Sequence, residues 1–450
     1  MIGQQTDTFD RRLIPPMILG SVLNPVNSSM IAVALIPIGV AFGAPPSRTA
    51  WLVSALYLAT AVGQPVVGRL VDTYGPRLLY LVGTALAGIA GVLGALAPSL
   101  GVLIVARVLL GFGTCAGYPA AMYLIRSESR RTGHDNPAGV LTALAVASQT
   151  IAVIGPTLGG LLIGLGGWRT IFLVNVPLSV ACLVLGALRL PRTPVEVGAG
   201  FDIPGIALFA AMLTSLLLFL MSPSQWYLLV PTVAAAVGFG LRELRVTAPF
   251  LDLRLLGGNL PLLATYARTL LSFVVAYAFI YGYTQWLEEG RGLSASVTGL
   301  VLLPMFLAGI VVSSTTGRRK AVRGKLIVGG IAQIVACAML LLLHAGSAFW
   351  LLIVLSVVVG IPQGLTNLAN QNALYHQADP ARMGSSAGLQ RTFMYLGAII
   401  AAAANGAFLS HGADTAGLHH LAVFMLVVAV LFLLVSLADR ALGRIGRSLG

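Results

Sequence analysis

Long apolar runs alternate with short polar stretches along the whole chain, and the length of the runs predicts helices that cross a lipid bilayer. A transmembrane helix needs about 20 predominantly apolar residues, and runs close to that length recur fourteen times. The seventh and eighth runs are the shortest. The predicted spans are 14–42, 50–70, 78–97, 101–125, 139–166, 171–188, 205–221, 226–241, 259–286, 298–317, 326–344, 349–375, 387–410 and 421–438.

The basic residues between the runs indicate how the helices are oriented. Of the 27 Lys and Arg residues, 21 fall in loops on the side of the N terminus and three lie within spans. Only Arg48, Arg169 and Arg291 fall in loops on the opposite side. Cytoplasmic loops of membrane proteins carry an excess of Lys and Arg. We therefore predict a multi-pass protein of the cytoplasmic membrane with both termini in the cytoplasm.

The composition excludes several classes of protein. Hydrophobic residues make up 57% of the chain and charged residues 9%, whereas soluble domains carry about 25% charged residues. A soluble enzyme, a nucleic-acid-binding domain and a disordered scaffold are thus excluded, and the net charge of +13 follows from the basic loops. Cys115, Cys182 and Cys337 lie in apolar runs without metal-ligand spacing. We expect no catalytic residues, no metal and no cofactor.

Small residues recur at a constant separation of 249 positions, which indicates an internal repeat. The pairs are Gly68 and Gly317, Gly75 and Gly324, Gly111 and Gly360, and Gly139 and Gly388. They occupy equivalent places in the predicted spans, and a repeat of six-span bundles is a transporter architecture. We predict six-helix bundles at 1–190 and 251–450, joined by a linker at 191–250 that contains two inserted transmembrane helices.

The loop after the second span carries a charged motif. It reads Gly68-Arg69-Leu70-Val71-Asp72-Thr73-Tyr74-Gly75-Pro76-Arg77. Asp72 can pair with Arg77, with basic residues at 126–131, or with the N terminus of a neighbouring helix. The segment resembles the signature loop of the major facilitator superfamily, with Thr73 and Pro76 where basic residues are usual. The second copy, at 317–325, keeps both glycines but has Ala321 in place of the acid.

Two motifs inside the spans extend this resemblance. The fourth span contains Arg107-Val-Leu-Leu-Gly111-Phe-Gly113, similar to the superfamily's arginine motif. A guanidinium within a bilayer costs at least ~2.5 kcal/mol, so it should face the bundle interior. The fifth span contains Gly155-Pro156-Thr157-Leu158-Gly159-Gly160, which resembles the antiporter motif of the superfamily. A plain kink with closely packed glycines is the alternative interpretation.

Segments 168–177, 249–254 and 292–304 resemble the fourteen-span drug/proton antiporters, the multidrug efflux family. The resemblance implies an all-α polytopic membrane protein with the major facilitator fold, built from two six-helix bundles plus two extra helices. It also implies export of small organic molecules by alternating access, proton antiport and antibiotic resistance. The residues to which it gives conformational or gating roles are Gly68, Asp72, Gly75, Arg77, Arg107, Gly155, Pro156, Gly159 and Gly160.

The charged residues inside the spans are basic rather than acidic. None of the 14 Asp and Glu residues lies in the middle of a predicted span, although proton relays normally use intramembrane Asp, Glu or His. The resemblance implies an acid near Asn27, and asparagine cannot titrate. Arg107, Arg268 and Arg391 lie within spans. They predict a cavity that favours neutral or anionic ligands, unless backbone carbonyls hold each guanidinium.

Polar side chains complete the predicted substrate cavity. Gln363, Asn367 and Asn370 share one face of the twelfth span, and hydrogen bonding between helices is the alternative role for them. Tyr277 is predicted to form a cavity wall, and Trp286 to anchor its helix at the membrane interface. The candidate cavity residues are Asn24, Asn27, Gln149, Arg268, Tyr277, Gln363, Asn367, Asn370 and Arg391.

The sequence therefore predicts a secondary transporter that exports drug-like or metabolite molecules. Its expected partners are a small-molecule substrate, membrane lipid and protons, without nucleic acid, and we expect it to act as a monomer. A proton-independent facilitator or anion/metabolite exchanger is the first alternative, because a midplane carboxylate is missing. A transporter-derived sensor or assembly factor that moves nothing is the second alternative.

Overall fold

The computed structural model describes residues 9–133, 138–192, 202–247, 249–317, 321–409 and 412–445. Within these ranges the chain forms helices and turns, and no strand. Arg318, Arg319 and Lys320, in the second copy of the loop motif, lie outside them. The long helices are α1 Arg11–Phe42, α2 Trp51–Tyr74, α3 Pro76–Ala95, α4 Leu100–Thr132, α5 Ala138–Gly166, α6 Thr170–Arg189, α7 Ile203–Met221, α8 Leu229–Glu243, α9 Leu260–Gln285, α10 Ala295–Thr316, α11 Val322–Leu341, α12 Phe349–Gln377, α13 Met383–Phe408 and α14 Thr415–Ala438.

Each predicted span coincides with a helix, which confirms the all-α membrane fold. Twelve of the described helices are long and apolar enough to cross a membrane. The two others are α8, which has only 15 residues, and α13, whose first half includes Ser385, Gln390 and Arg391. The number of fourteen spans therefore stays a prediction.

Two of the helices contain irregular turns that matter for the site. α1 is α-helical over Ile14–Met30, passes through a 3-10 turn at Ile31–Ala34 and resumes as Leu35–Phe42. A 3-10 turn closes hydrogen bonds three residues apart and narrows the helix locally. α4 is interrupted at Cys115 and Ala116. The irregular turn of α1 lies where α5 packs against it, and that of α4 directly follows Thr114, which hydrogen-bonds to Asn24 of α1.

The helices pack into two compact units. The first comprises Met1–Thr214, Ala235–Asp252 and Ala378–Thr392, and the second comprises Ser215–Ala234, Leu253–Gln377 and Phe393–Gly450. Each unit has its own buried apolar core. α7, α8 and α13 contribute residues to both units. The bundle limits at residues 190 and 250 remain a prediction.

The 249-residue repeat is visible in the packing within each unit. In the first unit, a Cβ on Gly111 of α4 would lie 2.8 Å from the Ala59 Cβ of α2. In the second, a Cβ on Gly360 of α12 would lie 2.7 Å from the Ala308 Cβ of α10. Ala59 and Ala308 are separated by the same 249 positions as the two glycines. The same close helix crossing occurs in both halves of the chain, and glycine is needed at each.

Candidate functional site

The predicted cavity residues on α1 make hydrogen bonds to other helices of the first unit. Asn27 Nδ2 donates to Asn175 Oδ1 over 2.6 Å, and Asn175 Nδ2 donates back to Asn27 Oδ1 over 2.9 Å. Asn24 Nδ2 donates to the hydroxyls of Thr114 and Thr60, at 3.0 and 3.3 Å. Both α1 asparagines are buried. In this conformation they connect α1 to α2, α4 and α6.

Arg107 is held by backbone carbonyls, as the alternative interpretation of the span arginines expected. Its Nε donates to the Leu52 carbonyl oxygen over 2.7 Å and its Nη1 to the Asn27 carbonyl oxygen over 3.2 Å. The residue is only 1% exposed. Because its partners are on α1 and α2, the guanidinium fixes the positions of both helices against α4. This contact suits a structural or gating role better than ligand binding.

Arg268 has a carboxylate partner that the sequence pattern did not indicate. Arg268 Nη1 lies 2.9 Å from Asp439 Oδ2, and both side chains are almost completely buried. Thr265 accepts a further hydrogen bond from Nη2, and Gln377 Nε2 donates to the same Asp439 oxygen over 3.3 Å. Asp439 directly follows the last residue of α14, so the ion pair lies at the C-terminal end of that helix. The prediction of a cavity that contains arginines and no carboxylate is therefore wrong for Arg268, because its guanidinium is paired with a carboxylate.

The polar face of α12 divides into two parts. Gln363 and Asn367 are half-buried, and Gln371 Nε2 donates to Asn367 Oδ1 over 3.2 Å. Asn370 is 1% exposed, and its side-chain oxygen accepts from Arg268 Nε over 3.3 Å. Gln363 and Asn367 therefore keep part of their surface accessible within a long helix, whereas Asn370 belongs to the ion-pair network.

A small cavity with a mostly apolar surface lies among α9, α11, α12 and α14 of the second unit. About 20 Å³ of it is open to the centre of a water-sized sphere, which is room for roughly one water molecule. Gln363 lines it beside Ser272 and Thr366, whose hydroxyls are 2.9 Å apart. Gln333 also lines it, and no described residue hydrogen-bonds to its Oε1. Gln333 was missed in the sequence, although an amide inside an apolar run was a visible signal.

Arg391 stacks on an aromatic ring in the first unit. Its Cζ lies 3.9 Å from the centroid of the Tyr118 ring, a cation–π geometry. The Tyr118 hydroxyl donates to Gln390 Oε1 over 3.2 Å. Tyr118 is buried and Arg391 is half-buried, so the guanidinium is positioned while part of the side chain stays accessible. Gln149 on α5 is likewise half-buried.

The aromatic residues of α9 differ in exposure. Tyr277 is half-buried, and its ring centroid lies 6.0 Å from that of Phe273 and 5.6 Å from that of Tyr281. Trp286 is completely buried, and its ring stacks on Tyr283 at 6.1 Å. The interpretation of Trp286 as an interfacial anchor is therefore wrong, because packing within the second unit covers its whole indole.

Asp72 binds the N terminus of α13, one of the partners that the sequence left open. Its Oδ1 accepts from the Gly384 amide over 2.7 Å, and its Oδ2 accepts from the Ser385 amide and hydroxyl over 2.7 and 2.5 Å. A carboxylate is favoured there because the first amides of a helix lack intrahelical partners and carry partial positive charge. Gly68 and Gly384 face each other so closely that a Cβ on Gly68 would collide with the Gly384 carbonyl.

The remaining residues of this loop shape the turn between α2 and α3. Gly75 has a φ of 86°, in a region that side chains rarely adopt, and it ends α2. Pro76 begins α3. Arg77 Nη2 donates to the Ala187 carbonyl oxygen at the end of α6 over 2.8 Å. The motif therefore connects α2, α3 and α6 with the start of α13.

The glycine motif of α5 packs against α1. A Cβ on Gly155 would collide with the Ser29 side chain, and one on Gly159 would lie 3.0 Å from the Met30 carbonyl oxygen. Gly160 has no described atom within 4 Å of that position. Pro156 lies inside the helix. Two of the three glycines thus permit a close crossing where α1 turns into its 3-10 segment.

Comparison with known proteins identifies the family. Residues 17–402 match the family model described as Major Facilitator Superfamily. The chain is 32% identical over 437 residues to the uncharacterized MFS-type transporter YwoD of Bacillus subtilis, covering 94% of this chain and 95% of that protein. It is 28% identical to the tetracenomycin C resistance and export protein of Streptomyces glaucescens, covering 87% of this chain and 74% of the relative.

A solved structure has the same fold. The human organic anion transporter MFSD10 matches with a TM-score of 0.69 over 94% of this chain and 99% of its own, at 15% sequence identity. That likeness concerns the fold alone. The family model and the relatives show that the protein is a multi-pass membrane transporter and not an enzyme. The chain belongs to the major facilitator superfamily.

Proposed function

We propose that this transporter exports small organic molecules across the cytoplasmic membrane by alternating access, acting as a monomer with both termini in the cytoplasm. The observation that carries the proposal is that Gln363 and Asn367, on the polar face of α12, are only half-buried within a helix long and apolar enough to cross a membrane. Amides directed at lipid would be unfavourable, so this face suits a path for a polar solute. One relative is named as a tetracenomycin C resistance and export protein, which supports export as the direction of transport.

The Asp72 contact is suited to a reversible gate. Its carboxylate holds the start of α13 against α2 through three hydrogen bonds and no covalent link. Alternating access requires contacts that form in one state and break in the other. Because Ser385 is buried in this conformation, opening such a gate requires water to reach these groups and replace the lost hydrogen bonds. In contrast, the glycine crossing of α5 and α1 is suited to keep those helices together in both states.

We propose that neutral or anionic substrates are favoured and that Arg391 contacts them. Arg107 and Arg268 are almost completely buried, whereas Arg391 is half-buried and stacked on Tyr118, so part of it is accessible to a substrate. We propose proton antiport as the coupling, and the family resemblance is its support. The alternative of a proton-independent facilitator or anion/metabolite exchanger is favoured by Asn27, which holds a neutral amide where an acid would titrate.

Transport by purified protein in proteoliposomes tests these statements. A panel of matched neutral, anionic and cationic compounds would be loaded, and efflux would be measured with and without an imposed pH gradient. Efflux of neutral or anionic compounds that accelerates with the gradient supports proton-coupled export. Equal rates with and without the gradient support the facilitator. Tight binding of panel compounds without any transport supports a sensor and contradicts the proposal.

A further inference from the structure

Two buried carboxylates converge at the start of α7 and the end of α8. Asp202 immediately precedes α7 and is 7% exposed, while Glu243 is the last residue of α8 and is 1% exposed. Glu243 lies beyond the predicted span 226–241, so it belongs to the end of the helix and not to its membrane-embedded part. Both residues belong to the first unit.

Each carboxylate uses one oxygen for a structural contact. Asp202 Oδ1 accepts from the Gly205 amide over 3.0 Å and from Arg242 Nε over 2.7 Å. Glu243 Oε2 accepts from the Leu251 amide over 3.0 Å. These bonds join the start of α7, the end of α8 and the loop that follows it.

The second oxygen of each carboxylate has no hydrogen-bond partner among the described residues. These atoms are Asp202 Oδ2 and Glu243 Oε1. Both converge on one point: a Cβ on Gly205 would be 2.6 Å from Glu243 Oε1 and in collision with Asp202 Oδ2. A buried acceptor without a donor costs about 1–3 kcal/mol, and more when it is charged, so two such oxygens side by side need a proton or a cation.

The local charge favours a proton. The charged groups that face Glu243 are Asp202 across Gly205 and Arg242 on the same helix. Asp252, further along the loop, is paired with Arg382 at 3.3 Å. Two carboxylates and one guanidinium carry a net charge of −1, which one proton neutralises, whereas a divalent cation would leave a buried positive charge.

We propose that Asp202 and Glu243 bind one proton between them, and that this proton stabilises the junction of α7, α8 and the loop at 249–252. The proton resides on Glu243, because Asp202 already accepts from Arg242. Burial raises the pKa of Glu243 from 4.5 to about 7, with the negative charge of Asp202 acting in the same direction. A raised pKa means that the folded protein favours the protonated form.

The consequence for stability has a definite sign. The stabilisation of the folded protein by the proton on Glu243 is fully present below the ordinary glutamate pKa of 4.5. It is lost as the pH rises through about 7. Glu243→Gln reproduces the shape and neutrality of the protonated side chain, so this variant is expected to fold. Asp202→Asn removes the neighbouring negative charge and is expected to move the proton loss to lower pH.

Infrared difference spectroscopy of the full-length protein in lipid nanodiscs, titrated from acid to alkaline pH, tests the proposal. We expect a protonated-carboxyl band that disappears near neutral pH, is absent in Glu243→Gln and disappears at lower pH in Asp202→Asn. The matched control is Glu128→Gln, which removes another buried acid at a helix end, paired with Arg131. The band must persist in this variant.

Two results would overturn the proposal. The first is an unchanged neutral-pH band in Glu243→Gln. The second is a band that calcium or magnesium chloride abolishes at acid pH, which would make the pair a cation site. Thermal unfolding over the same pH range provides a second measurement, since the wild-type midpoint should fall with rising pH more than that of Glu243→Gln.

Discussion

Arg268 on α9 and Asp439 after α14 form a buried ion pair, with Nη1 2.9 Å from Oδ2. The pair joins α9 to the end of α14, two parts of the second unit that are 171 residues apart in the chain. Removing one partner leaves an uncompensated buried charge, whereas replacing both leaves none. This asymmetry makes the pair testable by mutation.

Arg268→Ala should lower the free energy of unfolding by about 3–5 kcal/mol, since Asp439 would stay buried with hydrogen bonds from Gln377 and the Ala441 amide but without its positive partner. The double variant Arg268→Met with Asp439→Leu should lose less than the single variant. Denaturant unfolding of the purified proteins measures both. A double variant less stable than Arg268→Ala would show that the charges are not energetically coupled.

Asp72→Asn should loosen the start of α13. The neutral amide loses the charge that attracts the helix N terminus, and one of its two positions becomes a donor that faces the donors of Gly384 and Ser385. We expect the amides of these two residues to exchange hydrogen faster and the transport rate to fall roughly tenfold. Asp379→Asn is the control, because Asp379 caps only a short turn at Pro380. Unchanged exchange would contradict the gate.

Gly155→Ala should destabilise the protein by about 1–3 kcal/mol through overpacking against Ser29. Adding Ser29→Ala should restore part of the loss, because the colliding hydroxyl is then removed. Gly164→Ala is the control on the same helix, since no described atom lies within 4 Å of its Cβ position. Thermal unfolding is measured for five proteins, namely the wild type, the two single variants Gly155→Ala and Ser29→Ala, the double variant and the control. Additive effects of the two substitutions would argue against the contact.

Gln363→Leu and Asn367→Leu should impair transport more than folding. Each substitution removes one side-chain amide from the accessible face of α12. One hydrogen bond from such an amide to a substrate would contribute about 0.5–1.5 kcal/mol to binding. The KM for efflux should rise by about two- to tenfold for each substitution, with the unfolding midpoint nearly unchanged. Val357→Ala on the exposed apolar side of the same helix is the control. A KM unaffected by either leucine would remove this face from the substrate path.

The helical positions, the repeat and the close glycine contacts were predictable because each depends on local patterns. In lipid, an apolar run of about 20 residues forms a helix, because a helix satisfies the backbone hydrogen bonds within the segment itself. The close crossings at Gly111 and Gly360 were visible as a 249-residue periodicity, since a residue without a side chain is required at each crossing. The sequence left three possible partners for Asp72, and one of them, the N terminus of a neighbouring helix, was correct. Which helix it is could not be predicted, because α13 begins about 312 residues further along the chain.

By itself, the sequence determined that this protein is a bundle of membrane helices with the motifs of its superfamily, because burial in lipid acts on each segment separately. Only the tertiary structure decided which polar side chains already have a charged or hydrogen-bonding partner within the protein. Arg268 seemed available for a ligand until Asp439 was found beside it, and Asp202 and Glu243 were ordinary loop acids until folding brought their free oxygens together. Pairing of charges depends on distances in space, which positions along a chain do not specify.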